Sequence, residues 1–144
     1  ESGSVAVKEL TKFLRDNRDR YMNETWAEFM ASASQFASSC TNGAIQSISR
    51  SEDGEFTFME DGYEMTMKEA SGCQLSVMGM AVQIAMSESA ACPLDILMID
   101  EPAADMDAEH SMAAAMMLSS NGKQVIMISH HQMDNSVCEN VITL

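Results

Sequence analysis

Apolar residues recur at helical spacing from about Val7 to Ala37, through Leu10, Leu14, Tyr21, Phe29, Ala33 and Phe36. The stripe is interrupted at Asn17 and Thr25, and charged residues occupy the opposite face of its first half. This pattern predicts one helix of roughly thirty residues, against a globular mean of ~11–12. Such a length indicates a helix that projects from the domain or opens a coiled coil. Thr41-Asn42-Gly43 is its stop, with Asn and Gly available for a left-handed cap. Glu1 to Ser4 reads as a flexible lead or a cloning remnant.

The period then changes. Phe56 and Phe58, then Tyr63, Met65 and Met67, alternate with polar residues, the mark of a half-buried strand. Asp61-Gly62 between them suits a tight hairpin turn, Ser51 to Gly54 is a second turn, and Ala44 to Ser49 is a third strand. A small antiparallel sheet is expected over residues 41–70.

Beyond Ala70 the chain alternates helix and buried strand. A helix over Ser71–Ser87 precedes the apolar run Leu94–Ile99, short and uninterrupted enough for a strand buried on both faces. An Ala- and Met-rich helix over Asp107–Ser119 stops at Asn121-Gly122. Gln124–Ser129 is a second buried strand, a short helix follows near Met133–Cys138, and Val141–Leu144 ends as a strand. This order implies a parallel sheet with right-handed crossovers.

Composition narrows the function classes. At 144 residues with 46% hydrophobic and 21% charged content, the chain is one domain's worth of folded protein and no disordered tail. No apolar run approaches the ~20 residues of a bilayer span, so a membrane partner is not expected and a soluble, cytoplasmic protein is. The net charge of -14 argues against generic nucleic-acid binding. That charge is uneven: residues 1–20 carry five basic groups and four acids, and the rest holds three basic groups and 18 acids. A contact with DNA or RNA is therefore to be sought near the start. Four widely spaced cysteines form no C-x-x-C pair and read as reduced thiols. The fifteen methionines serve as adaptable core fillers.

Three places carry chemistry. Leu97 to Pro102 is an apolar strand ending in two consecutive carboxylates, Asp100 and Glu101. At the carboxyl edge of a parallel sheet, one acid can hold a hard cation through water while the next orients or deprotonates an attacking water. The bland alternative is a strand end whose acids face solvent. Ser71-Gly72-Cys73-Gln74 is a Ser-x-x-Gln capping box, and equally an anion site built from a hydroxyl, backbone N–H groups and a helix start. Ser129-His130 follows the second buried strand, on the same sheet edge, where a His can contact a phosphate. The spacing of His130, His131, Asp134 and Cys138 suits no common metal site.

In this order and spacing the elements resemble the ABC-type ATPases, over roughly residues 60–144. Ser71-Gly72-Cys73-Gln74 resembles the signature motif, Leu97 to Pro102 resembles Walker B with its glutamate, Ala104-Asp105-Met106-Asp107 resembles the D-loop, and Ser129-His130 resembles the switch-histidine loop. Ala70 stands where the signature usually has Leu, and Cys73 replaces its second glycine. The resemblance implies that Asp100 helps hold Mg²⁺, Glu101 polarises the attacking water and His130 contacts the γ-phosphate of ATP. It assigns Ser71, Gly72, Cys73 and Gln74 to a nucleotide held by a second head of a homodimer, and Asp107 to coupling across that interface.

The sequence has no G-x-x-x-x-G-K-[ST] loop; its Gly122-Lys123 lacks the glycine pattern. A long charged helix and a small sheet ahead of the signature resemble the SMC-like DNA-repair ATPases, where a coiled coil separates two halves of one head. Asp-Glu-Pro and the short spacing are similar to the double-strand-break repair branch, the SbcC-type subunit and its phage recombination-nuclease relatives. The implied fold is α/β, the C-terminal lobe of an ABC ATPase head, a parallel sheet with flanking helices. Its divisions are a lead at 1–4, a coiled-coil base at 5–40, a β subdomain at 41–70 and the ATPase lobe at 71–144. The implied partners are a complementary N-terminal P-loop half, a second head, DNA as substrate of the assembly, and a nuclease subunit at the residue 5–38 helix. The implied setting is the cytoplasm (nucleoid, nucleus or infected host cell, by source). The alternatives are another SMC- or RecN-like chromosome or repair ATPase, or a non-catalytic ABC-like binding or regulatory module.

Overall fold

A computed structural model describes residues 2–51, 53–89, 95–102, 104–129 and 137–142. Helix α1 spans Ser2–Cys40, strands β1, β2 and β3 span Ile45–Arg50, Phe56–Glu60 and Tyr63–Thr66, and helix α2 spans Gly72–Ser89. Strand β4 (Ile96–Asp100), helix α3 (Ala108–Ser120) and strand β5 (Gln124–Ile128) follow. Helix α1 starts within the stretch expected as a lead, and Asn17 and Thr25 do not interrupt it.

The two halves of α1 behave differently. Phe29, Ala33, Phe36, Ala37 and Cys40 form a buried stripe at helical spacing. Upstream, Val7, Leu10, Phe13, Leu14, Tyr21 and Met22 are exposed. The buried half packs on α2 and β1. Ala33 and Ala37 on α1 and Ala81 and Ala85 on α2 have no exposed surface, and side chains this small let helix backbones approach closely.

The stop of α1 is as the turn residues require. Asn42 and Gly43 adopt φ of 51° and 86°, and the Gly43 N–H donates to Ser38 O at 2.8 Å, closing the helix in a left-handed cap. Buried Thr41 joins helix to strand: its hydroxyl donates to Ala37 O and accepts from the Ile45 N–H.

Strands β1, β2 and β3 form an antiparallel sheet in that order. Asp61 and Gly62 both have positive φ, the two-residue turn that pairs Glu60 with Tyr63. Ile45, Ile48 and Phe58 are buried beneath α1 and α2 in the common core. The Ile48 N–H donates to Ser34 Oγ at 2.8 Å, and that hydroxyl donates to Met30 O at 2.6 Å, stitching sheet to helix.

Strands β4 and β5 pair in parallel, Leu97 opposite Val125 and Ile99 opposite Met127. Two expectations are corrected here. The Leu94–Ile99 run is not buried on both faces: Leu97 and Ile99 face the core, while Ile96 and Met98, with Ile126 and Ile128 of β5, are 41–66% exposed. The composition is that of a two-sided strand, but among the described residues only one layer covers the pair. Of the expected terminal strand, Val141 and Ile142 lie outside any strand and are exposed, and Thr143 and Leu144 fall outside the described residues. The helix expected near Met133–Cys138 falls, up to Ser136, outside the described residues. Among the described residues no helix is long and apolar enough to cross a membrane.

Candidate functional site

Strand β4 delivers the two carboxylates. Asp100 is its last residue and is exposed; Glu101 follows with φ 50°, in the left-handed region that a glutamate rarely adopts. The Glu101 N–H donates to Ile128 O at 2.8 Å, so the parallel ladder holds the backbone one residue past the strand. Pro102 next to it is buried, and Glu101 Oε2 is sealed from solvent. A strained backbone held by its surroundings at a strand's carboxyl end is a recurrent mark of a functional position.

The chain then turns through Ala104 to Asp107 onto α3. Asp107 is the N-cap of α3: its Oδ1 accepts from the His110 N–H at 2.9 Å and lies 2.8 Å from His110 Nδ1. The His110 backbone N–H, then its side chain, lowers the Asp107 carboxyl below the usual value. Nearby, the Asn42 amide donates to Glu109 Oε1 at 2.9 Å, tying the end of α1 to the first turn of α3.

Ser71 caps α2 in a complete capping box. The Ser71 N–H donates to Gln74 Oε1 at 2.7 Å, and the Gln74 N–H reaches Ser71 Oγ at 3.3 Å. The amide of Gln74 also donates to Glu60 Oε1 at 2.6 Å, bracing the helix start against the hairpin. The capping reading of Ser-x-x-Gln therefore holds, and it fixes the geometry an anion site would need.

The structure brings the signature-like turn and the D-loop-like turn together. A Cβ on Gly72 would lie 3.0 Å from Asp105 Cβ and Cγ. The Cys73 thiol is pushed up by burial and then by the charges of Asp107 and Asp105. His130 lies outside the described residues; Ser129, directly after β5, is half-buried. Sequence reasoning gave Asp105 no role beyond its place in the D-loop-like segment and passed over His110 and Glu60. For His110 a signal existed, since Asp-x-x-His has capping-box spacing; the Gly72–Asp105 contact joins residues 33 positions apart and left no local trace.

A groove of about 380 Å³ lies elsewhere, between α1, α2 and α3, with Ser32, Phe36, Ile84, Glu88 and Met117 among its walls, and none of the motif residues lines it. Among the described residues no three His, Cys, Asp or Glu side chains cluster to hold a metal. A single exposed carboxylate such as Asp100 fits a water-rich Mg²⁺ shell, which takes one or two protein ligands.

No family model matches the sequence, and no curated protein matches it. Solved structures do. The chain is similar to a structure from a study of "ATP-driven dimerization and DNA stimulated activation of SMC ATPases", with a TM-score of 0.72 at 15% identity, covering 86% of this chain and 80% of that one. It is similar to the SMC head domain from Thermotoga maritima, with a TM-score of 0.59 at 18% identity, covering 84% of this chain and 44% of that one. It is also similar to the Smc head domain with an extended coiled coil bound to the C-terminal domain of ScpA from Pyrococcus furiosus, with a TM-score of 0.70 at 13% identity, covering 90% of this chain and 35% of that one. The long helix, small antiparallel sheet and parallel strand pair are thus the fold of the C-terminal portion of an SMC head domain.

Proposed function

We propose that this chain is the C-terminal half of an ATP-binding and ATP-hydrolysing head that drives a DNA double-strand-break repair or recombination nuclease by ATP-dependent dimerisation. The observation that carries the reading is the open apolar face of β4 and β5, with Ile96, Met98, Ile126 and Ile128 exposed on a parallel strand pair. Parallel sheets are buried on both faces in finished domains. A P-loop half laid against this face would cover it and supply the phosphate cradle that the sequence lacks.

Within that composite site, Asp100 at the end of β4 would take a water-bound Mg²⁺, whose bound charge would neutralise the transferring phosphoryl group. Glu101, fixed by the Ile128 carbonyl and by Pro102, would orient and deprotonate the attacking water. His130 would contact the γ-phosphate. Ser71, Gly72, Cys73 and Gln74, with α2's positive end behind them, would face the nucleotide of a second head. Asp107 at the N-cap of α3 would couple the two sites. The residue 5–38 helix, with its apolar stripe and the chain's one local excess of basic residues, would receive the nuclease subunit or DNA.

The test is to assemble the chain with a P-loop half and measure ATP hydrolysis. Glu101→Gln is expected to lower turnover by roughly 10²–10⁴-fold, the range for a general base; unchanged turnover sinks the assignment. The structural neighbours favour a second reading, an SMC-type chromosome ATPase whose residue 5–38 helix meets a kleisin-like domain. Binding assays on that helix with a nuclease subunit and with a kleisin-like C-terminal domain separate the two readings.

A further inference from the structure

Asp105 has no part in the roles above, yet its side chain lies against the first residue of α2. A Cβ on Gly72 would sit 3.0 Å from Asp105 Cβ and Cγ and 3.2 Å from Oδ2, so the absent side chain at position 72 makes room for this carboxylate. The neighbouring thiol registers the same charge, since Asp107 and Asp105 add to burial in pushing Cys73 up. Helix α2 has no acidic residue of its own in its first turn. The first turn of a helix favours an anion, because its N–H groups and dipole present partial positive charge. Here the D-loop supplies that anion from outside the helix.

We infer that Asp105 is a resident anion at the start of α2, a positioning residue that sets how much ATP is needed to pair two heads. The inference rests on reading Ser71 to Gln74 as the turn that meets the facing head's nucleotide. A terminal phosphate arriving there enters the field of the Asp105 carboxylate. The same carboxylate braces the D-loop against the signature turn, which opposes the repulsion. Repulsion dominates: one carboxylate against an α-carbon is a weak brace, whereas a unit charge beside a phosphate in a partly dewatered interface shifts affinity by about tenfold.

The test uses the chain assembled with a P-loop half and carrying Glu101→Gln to halt turnover, with ATP-driven pairing followed by sedimentation velocity. Asp105→Asn is expected to lower the ATP concentration for half-maximal pairing by about five- to tenfold at low salt, with the gap narrowing as salt rises. Asp105→Glu, which keeps the charge, is expected to stay near the parent protein. An unchanged or raised midpoint in Asp105→Asn overturns the proposal. A second readout needs no nucleotide: removing a nearby negative charge favours the thiolate, so Cys73 alkylation, read by peptide mass spectrometry, should quicken in Asp105→Asn. An unchanged alkylation rate removes the contact itself and overturns the proposal on geometry. Absence of ATP-driven pairing in the parent complex, with Cys73 still responding to Asp105→Asn, overturns the signature reading and the proposed role of Asp105 with it.

Discussion

A glutamate at φ 50° crowds its Cβ against its own backbone, at roughly 1–2 kcal/mol relative to a glycine in the same place. Glu101 holds that conformation because the Ile128 carbonyl fixes its N–H and Pro102 anchors the next residue in the core. Chemical denaturation of Glu101→Ala and Glu101→Gly should separate strain from side-chain loss. Both remove the carboxylate, and the glycine variant is expected to be about 1 kcal/mol the more stable. Asp107 offers a second residue-scale test. The His110 N–H, then its ring, holds the Asp107 carboxyl below the usual aspartate range. A carboxylate depressed on folding stabilises above its unfolded value and loses that contribution as pH falls through the folded one. Acid unfolding curves of the parent and Asp107→Ala should therefore show the variant less stable above the ordinary carboxylate range, and the two should converge as pH falls through the lowered folded value of Asp107.

Among the elements, the close packing of α1 on α2 depends on alanines. Ala33 and Ala37 face the core without exposed surface, in the same cluster as Ala81 and Ala85. Ala33→Leu forces a whole isopropyl group into that contact and is expected to destabilise by about 1–3 kcal/mol in urea unfolding. A value near zero would mean that the helices sit further apart than described. Most elements were legible because their periods are clean: the Phe29–Phe36 stripe, the Phe56–Phe58 alternation and the Asp61-Gly62 turn each encode local structure. The one-sided burial of β4 was not legible. Ile96, Leu97, Met98 and Ile99 are all apolar, and a run without alternation specifies burial on both faces without saying which chain provides it. Val141 and Ile142 differ from expectation for the same reason, since they have β propensity but are exposed and outside any strand. Of the candidate site, Asp100, Glu101 and Ser71 were singled out from a strand end and a helix cap, which are local signals, and Asp107 from the resemblance to the D-loop. The meeting of Gly72 with Asp105 depends on how β4 and α2 pack, which no local pattern carries.

At the scale of the molecule, the chain has two apolar surfaces that its own described residues leave open. One is the outer face of β4 and β5, the other the stripe from Val7 to Met22. A monomer seldom shows contiguous apolar patches of this kind unless a partner covers them. Met98→Asp is a selective probe, since Met98 is 66% exposed. The substitution is expected to change the chain's own stability by no more than about 1 kcal/mol. It should nonetheless abolish co-purification with a P-loop half, which retention of the complex would contradict.

The asymmetry of α1 has a mechanical consequence. Its last turns are locked into the core and tied through Asn42 to the start of α3, while its first half is free of that packing. From Phe29 back to Ser2 the helix runs about 40 Å, so a rocking of ~10° at the core swings the far end by about 7 Å. A shift at the start of α3, passed on through the Asn42–Glu109 hydrogen bond, would therefore be multiplied along the length of α1 before it reached the far end.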